Sequence, residues 1–247
     1  MPIFRLSPAL VFPPASAAEA NGLLAVGGDL SPERLLLAYS SGIFPWFGPE
    51  DPLLWWSPDP RALLDFAHLH ISRSLAKVLR QQCFSVTFDQ AFAAVMHACA
   101  EVRQNTGEGT WIGAQMLEAY SELHRLGYAH SVECWQDGEL VGGLYGLGIG
   151  RGFFGESMFH RRTDASKVAF VHLARLLAGG GYDFLDCQLP TSHLGSLGAQ
   201  PIVRRAFLQR LLGACGPPSC KPDSGAFSSL IAPFAAGESR VDLLPRK

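Results

Sequence analysis

Val141-Gly-Gly-Leu-Tyr-Gly-Leu-Gly-Ile-Gly-Arg-Gly-Phe-Phe-Gly-Glu-Ser-Met-Phe-His160, followed by Arg-Arg-Thr-Asp-Ala-Ser-Lys167, concentrates glycines and aromatics around one acid as no other part of the chain does. Asp137-Gly138 just upstream is a two-residue hairpin signal. Gly148-Ile-Gly-Arg-Gly152 can turn or bulge where a β-carbon would clash. Two or three antiparallel strands are therefore expected here. Glycines weaken a strand unless another backbone or a ligand must come close, so Gly142, Gly143, Gly146 and Gly155 are candidates for a groove floor. A bulged, twisted sheet is the equal alternative.

Outward from this stretch, the 247 residues, 48% of them hydrophobic, suffice to bury a large core. A formal charge of -2 argues against coating a nucleic acid by bulk charge but leaves room for a local basic patch. The opening Met-Pro-Ile-Phe-Arg-Leu-Ser-Pro reads as no secretory signal. No window reaches the roughly 18 apolar residues of a membrane span. Six scattered cysteines fit a reduced, cytoplasmic protein. Only Cys215 and Cys220 have near-ligand spacing, and without a second half-site no metal is expected.

Towards the N-terminus, Ser31-Pro32 caps and starts a helix that Gly42 ends. The adjacent Trp55 and Trp56 point to opposite sides of a short extended piece, and one is expected at an interface. Gly27-Gly28 is too little for a phosphate loop. A composition shift at Asp59-Pro60-Arg61 divides a small N-terminal domain (1–61) from a larger one (62–215), with a loosely packed or partly ordered extension over 216–247. Arg73, Lys77 and Arg80 share one face of a helix whose other side carries Ile71, Leu75, Val78 and Leu79. That basic stripe is a solvated face or a phosphate-binding one. Helices are expected over 92–102 and 113–126, and His97 reads as an ordinary histidine.

After the glycine-rich strands, Thr163-Asp164 caps a helix to about Ala178, which leads into Tyr182-Asp-Phe-Leu-Asp-Cys-Gln-Leu189. A strand period of two puts Phe184, Asp186 and Gln188 on one face and Leu185, Cys187 and Leu189 on the other. A carboxylate beside an amide in a central strand is costly unless hydrogen-bonded or open to a site. Structural pairing and catalysis stand as equal readings. A short helix over 192–197 and a basic one over 204–212 complete the described pattern.

Several strings then coincide in order and spacing: Gly22-Leu-Leu-Ala-Val-Gly-Gly-Asp-Leu30, Tyr39-Ser-Ser-Gly-Ile-Phe-Pro-Trp46, Trp55-Trp-Ser-Pro, Thr110-Trp-Ile112, Gly155-Glu-Ser-Met-Phe159, Ala165-Ser-Lys167, Asp186-Cys-Gln188 and Ser196-Leu-Gly-Ala199. Over about residues 1–212 the chain resembles the bacterial leucyl/phenylalanyl-tRNA–protein transferase family. The resemblance implies an α+β fold with a small N-terminal α/β domain and a larger domain similar to the GNAT acyltransferase fold, built on a mixed central sheet. It implies a cytoplasmic, monomeric aminoacyltransferase of the N-degron pathway. Such an enzyme moves Leu or Phe from Leu-tRNA or Phe-tRNA onto proteins with N-terminal Arg or Lys, with no metal, ATP or coenzyme and no membrane.

The resemblance also casts residues in roles. Gln188 contacts the reacting amine, Asp186 polarises it or accepts charge, and Glu156 helps hold the basic acceptor terminus. The apolar candidates for the Leu or Phe pocket are Leu144, Phe153, Met158, Phe170 and Leu185, each with core packing as its other reading. Trp46 and Trp111 are candidates to stack on the terminal adenosine. The resemblance turns Arg73, Lys77 and Arg80 toward tRNA phosphates, with Arg204 and Arg205 as weaker candidates. Two other readings are a coenzyme A-dependent acetyltransferase and a catalytically silent RNA- or peptide-binding protein. The first is disfavoured because no glycine lies between Met158 and Lys167 to form a pyrophosphate loop.

Overall fold

A computed structural model of the chain describes residues 3–105 and 111–235; Thr110 and residues 236–247 of the expected extension lie outside the described residues. Four short strands, β1 (Phe4–Leu6), β2 (Leu23–Gly27), β3 (Phe44–Pro45) and β4 (Leu54–Trp56), form a small sheet in the order β1-β2-β4-β3. Helix α1 (Pro32–Ser40) packs beside it, with Pro32 at its first turn and Gly42, at φ 77°, just past its end. Ser31 does not cap α1 with its side chain, because its hydroxyl donates to Asp29 instead.

Strand β5 (Arg61–Leu64) belongs to a second sheet. Next come α2 (Arg73–Gln81), β6 (Ser85–Phe88), α3 (Phe92–Asn105) and α4 (Ala114–Arg125). They are followed by β7 (Ala129–Gln136), β8 (Glu139–Ile149), β9 (Gly152–His160), α5 (Ala165–Gly179) and β10 (Phe184–Gln188). The chain continues through α6 (Ser192–Ser196), β11 (Gln200–Ile202), α7 (Arg204–Cys215) and α8 (Phe227–Ala235). The seven strands run in the order β11-β5-β10-β9-β8-β7-β6. Only β9 and β10 pair in parallel, so the sheet is mixed and the α+β expectation holds.

The antiparallel hairpins expected around the glycine-rich stretch are β7-β8 and β8-β9. Asp137 and Gly138 both have positive φ, 53° and 81°, as a tight primed turn requires. Three of the four glycines proposed as a groove floor serve packing instead. A β-carbon on Gly142 would lie 2.6 Å from the Ala165 β-carbon, on Gly143 2.7 Å from the Val132 carbonyl, and on Gly146 2.2 Å from the Phe154 carbonyl. Only Gly155 borders an open cavity.

Two buried clusters sandwich the large sheet. On one face Tyr145, Phe154 and Phe184 meet α3, α4, α7 and the small sheet, so Trp55, Leu35 and Tyr39 share a core with Met96, Tyr120 and Phe207. On the other face Val132, Leu144, Phe153 and Leu185 meet α5 and α8. Of the extension expected over 216–247, the described part, 216–235, packs against the large sheet. Phe227 is fully buried, its ring stacked on His130 and tilted against Phe153, and Phe234 packs on Phe88. The intervening loop is tied down by hydrogen bonds from Gly150 N–H to the Asp223 carbonyl and from the Tyr128 hydroxyl to the Pro222 carbonyl. Composition misled there because Pro, Ser and Gly in 216–226 hide a short apolar helix.

Candidate active site

The site arises where two neighbouring strands each carry one residue too many. On β9, Ser157 pairs with Tyr145 and Gly155 with Gly146, so Glu156 has no partner on β8. On β10, Asp186 pairs with Leu63 and Gln188 with Ala62, leaving Cys187 as the extra residue against β5. Pairing of β9 with β10 reaches only Phe154 and Asp186, after which the two strands part. A bulge flips side-chain parity beyond it and re-aims the residue it frees. Hence Phe153 and Met158, five positions apart, both belong to the α5 face.

Between the parted strands, α5 and α6 lies a cavity of about 330 Å³. Its apolar wall is Leu144, Met158, Phe170, Leu173 and Leu185; Phe44, Trp46 and Trp111 form its aromatic side. Glu156, Ser157, Gln188, Thr191 and His193 supply the polar groups. Trp46 is 41% exposed, and its ring stands edge-on to Trp56 at 5.5 Å, with the Trp56 indole N–H donating to the Trp46 carbonyl. Trp55, by contrast, is fully buried and donates to the Gly27 carbonyl at 2.8 Å. The outward tryptophan of the pair thus buttresses the cavity rim.

Of the apolar candidates, Leu144, Met158, Phe170 and Leu185 line this cavity, and Phe153 does not. Phe153 precedes the β9 bulge and is fully buried against Phe227. Asp186 is also absent from the lining. Its carboxylate is completely buried and clasped by the equally buried Arg61, through Nε to Oδ1 at 2.9 Å and Nη2 to Oδ2 at 2.7 Å. The Arg61 guanidinium lies between the rings of Phe44 and Phe207, 4.7 and 4.6 Å from their centroids, and donates from Nη1 to the Gly42 carbonyl. The expectation that Asp186 and Gln188 share one face of the strand is therefore corrected. The bulge at Cys187 separates them, sending one inward and the other to the cavity.

The two residues remain linked. Asp186 Oδ1 accepts the Gln188 backbone N–H at 2.9 Å, and Gln188 sits at φ 60°, a left-handed conformation that a non-glycine residue adopts only when its surroundings hold it there. From that position the Gln188 side-chain amide donates to Glu156 Oε1 at 2.6 Å. The other carboxylate oxygen of Glu156 accepts from the Tyr120 hydroxyl at 3.2 Å, and Tyr120 is in turn hydrogen-bonded to Tyr39. Burial pushes the Glu156 carboxyl up to about 7, against the opposing pull of hydrogen bonds from Tyr39, Gln188 and Tyr120. Burial, then the Lys167 and His160 charges, push His193 down. A carboxyl poised near neutrality beside a fixed amide can exchange a proton with a bound amine.

Arg73, Lys77 and Arg80 are exposed on α2, which buries Leu75 and is capped by Ser72, whose hydroxyl accepts from Leu75 N–H at 3.2 Å. Helix α2 packs against α5, the helix that contributes Phe170 and Leu173 to the cavity. Arg204 has a structural task, donating from Nη1 to the Ser57 carbonyl at 2.5 Å. Reading the sequence missed Arg61, Tyr39 and Tyr120 as site residues. Each had a signal: an arginine heading an apolar strand, and phenol hydroxyls on helix faces that are otherwise apolar.

An enzyme that seats an apolar group beside a carboxyl able to exchange a proton is the class that this pocket describes. A family model described as leucyl/phenylalanyl-tRNA protein transferase matches residues 63–212, and one for the N-terminal domain of the same transferase matches residues 28–59. The leucyl/phenylalanyl-tRNA–protein transferase of Syntrophobacter fumaroxidans is 63% identical over 211 residues, covering 85% of this chain and 90% of the relative. That of Syntrophotalea carbinolica is 57% identical over 229 residues, covering 93% of this chain and all of the relative. The chain belongs to the leucyl/phenylalanyl-tRNA–protein transferase family and is an aminoacyltransferase. Among solved structures it is similar to L-PGS from Bacillus licheniformis, with TM-score 0.40, 13% identity and coverage of 56% of this chain and 48% of that one.

Proposed function

We propose that this chain moves Leu or Phe from Leu-tRNA or Phe-tRNA onto proteins beginning with Arg or Lys, as a monomeric cytoplasmic enzyme of the N-degron pathway that needs no cofactor. The observation that carries this reading is the Gln188 amide bonded to the Glu156 carboxylate at the polar end of an otherwise apolar cavity of about 330 Å³. The Leu or Phe side chain occupies the wall of Leu144, Met158, Phe170 and Leu185, while Trp46 and Trp111 stack on the terminal adenosine. Arg73, Lys77 and Arg80 meet tRNA phosphates. No helix among the described residues is long and apolar enough to cross a membrane.

An aminoacyl ester is already activated, and an α-amine with a pKa near ~8 is substantially neutral at physiological pH, so the enzyme need chiefly align the partners and take up a proton. Gln188 orients the amine and Glu156 receives the proton. Asp186 acts through Gln188, holding its backbone N–H. A single-turnover assay with Phe-tRNA and an Arg-starting peptide tests this. Gln188→Ala should slow transfer at least tenfold with tRNA binding unchanged; transfer absent from the wild-type chain, with binding intact, identifies a silent binding protein instead.

A further inference from the structure

Tyr39 comes from α1 beside the small sheet, Tyr120 from α4 and Glu156 from β9, yet their oxygens form one hydrogen-bonded series in a fully buried place. The Tyr120 hydroxyl donates to Glu156 Oε2 at 3.2 Å, so its oxygen is left to accept from Tyr39. The Tyr39 ring packs edge-on against Phe154, and the Tyr120 ring against Tyr145. Phenylalanines would satisfy both ring contacts, and a buried hydroxyl costs free energy unless it is bonded. With Gln188 on the other oxygen, the carboxylate is gripped from both sides.

We infer that Tyr39 and Tyr120 are positioning residues for transfer: in series they hold Glu156 so that its carboxylate accepts the proton released when the incoming amine attacks the aminoacyl ester. This rests on the function proposed above. It makes α1, and with it the small N-terminal domain, part of the catalytic centre. The balance is simple. The amine nitrogen bonds to the ester carbonyl carbon and gives a proton to Glu156; the bond from that carbon to the ribose oxygen breaks, and the oxygen leaves with the proton returned by Glu156. Nothing is oxidised or reduced. When Glu156 is protonated the series can reverse, with the acid donating to Tyr120 and Tyr120 to Tyr39.

Among the described residues, the other titratable or charged groups near this carboxyl are Asp186 on β10, with its Arg61 partner on β5, and Tyr145 of β8, Cys187 of β10 and His193 of α6 on the same cavity. Removing a hydroxyl donor disfavours the carboxylate, so Glu156 should need a higher pH to ionise. The test is the pH profile of single-turnover transfer from Phe-tRNA to an Arg-starting peptide for the full chain. The amine's own titration is common to all variants, so the displacement between them is what matters. Tyr120→Phe should move the profile about 0.5–1 unit to higher pH, with a roughly three- to tenfold loss at pH 7 that largely disappears at pH 9. Tyr39→Phe should move it in the same direction.

In a Glu156→Gln background neither tyrosine change should slow transfer further. A uniform loss at every pH, or additive losses in that background, would overturn the inference while leaving the function standing. A wild-type chain that transfers nothing overturns both. Should the phenylalanine variants fail to fold, 3-fluorotyrosine incorporated in place of tyrosine, which changes the acidity of the hydroxyl without removing it, decides. A displaced pH profile of transfer supports the inference, and an unmoved profile overturns it.

Discussion

Asp186 holds the backbone of a cavity residue without facing the cavity itself. Its carboxylate has Arg61 on both oxygens and the Gln188 N–H on one, all in the interior. Removing one member of a buried pair leaves an uncompensated charge, so Asp186→Ala should cost about 3–5 kcal/mol in urea unfolding. Replacing both partners with apolar residues, Arg61→Met with Asp186→Leu, should recover much of that stability but not the activity, because Gln188 loses the acceptor that holds its backbone. An Asp186→Ala chain as stable as the wild type yet inactive would instead mean that the carboxylate meets the substrate.

At the scale of elements, two strand irregularities decide the site. Had β9 and β10 run regularly, Glu156 would pair across to β8 and Gln188 would follow Asp186 into the aromatic cluster around Phe184 and Phe207. The extra residues at Glu156 and Cys187 turn both polar side chains toward one cavity. Helix α2 contributes in another way. Its three cations stand clear of the surface while Leu75 anchors it. Arg73→Ala with Arg80→Ala should weaken tRNA binding and lower the slope of log affinity against log salt by about 1.5–2, with transfer from saturating tRNA little changed. Binding that ignores both substitutions would return α2 to an ordinary solvated face.

For the whole molecule, the catalytic sheet is enclosed by parts distant in sequence. The small sheet and α1 cover one face, and the segment after Gly216 closes the other through Phe227. Phe227→Ala should cost about 3–5 kcal/mol, measured as a loss of thermal stability, because the ring fills space beside His130 and Phe153 that the backbone cannot collapse to occupy. A chain that tolerates Phe227→Ala would show that α8 is an ornament to the fold.

Local sequence determined the elements. Pro32 and Gly42 bound α1, Asp137-Gly138 makes its hairpin, Gly179-Gly180-Gly181 ends α5, and the strings around Glu156, Asp186 and Gln188 mark the family, because propensity, turn chemistry and motif spacing are local properties. Tertiary structure alone decided which of those residues meet. A bulge inverts side-chain parity without any residue type that announces it, which is why Asp186 faces the interior while Gln188 faces the cavity, and why Met158 returns to the face that Phe153 occupies. The pairing of Arg61 with Asp186 and of Tyr39 with Tyr120 joins residues 125 and 81 positions apart. No period or spacing in the chain encodes a contact of that range; the first exists only once β5 and β10 pair, and the second only once α1 and α4 share one core.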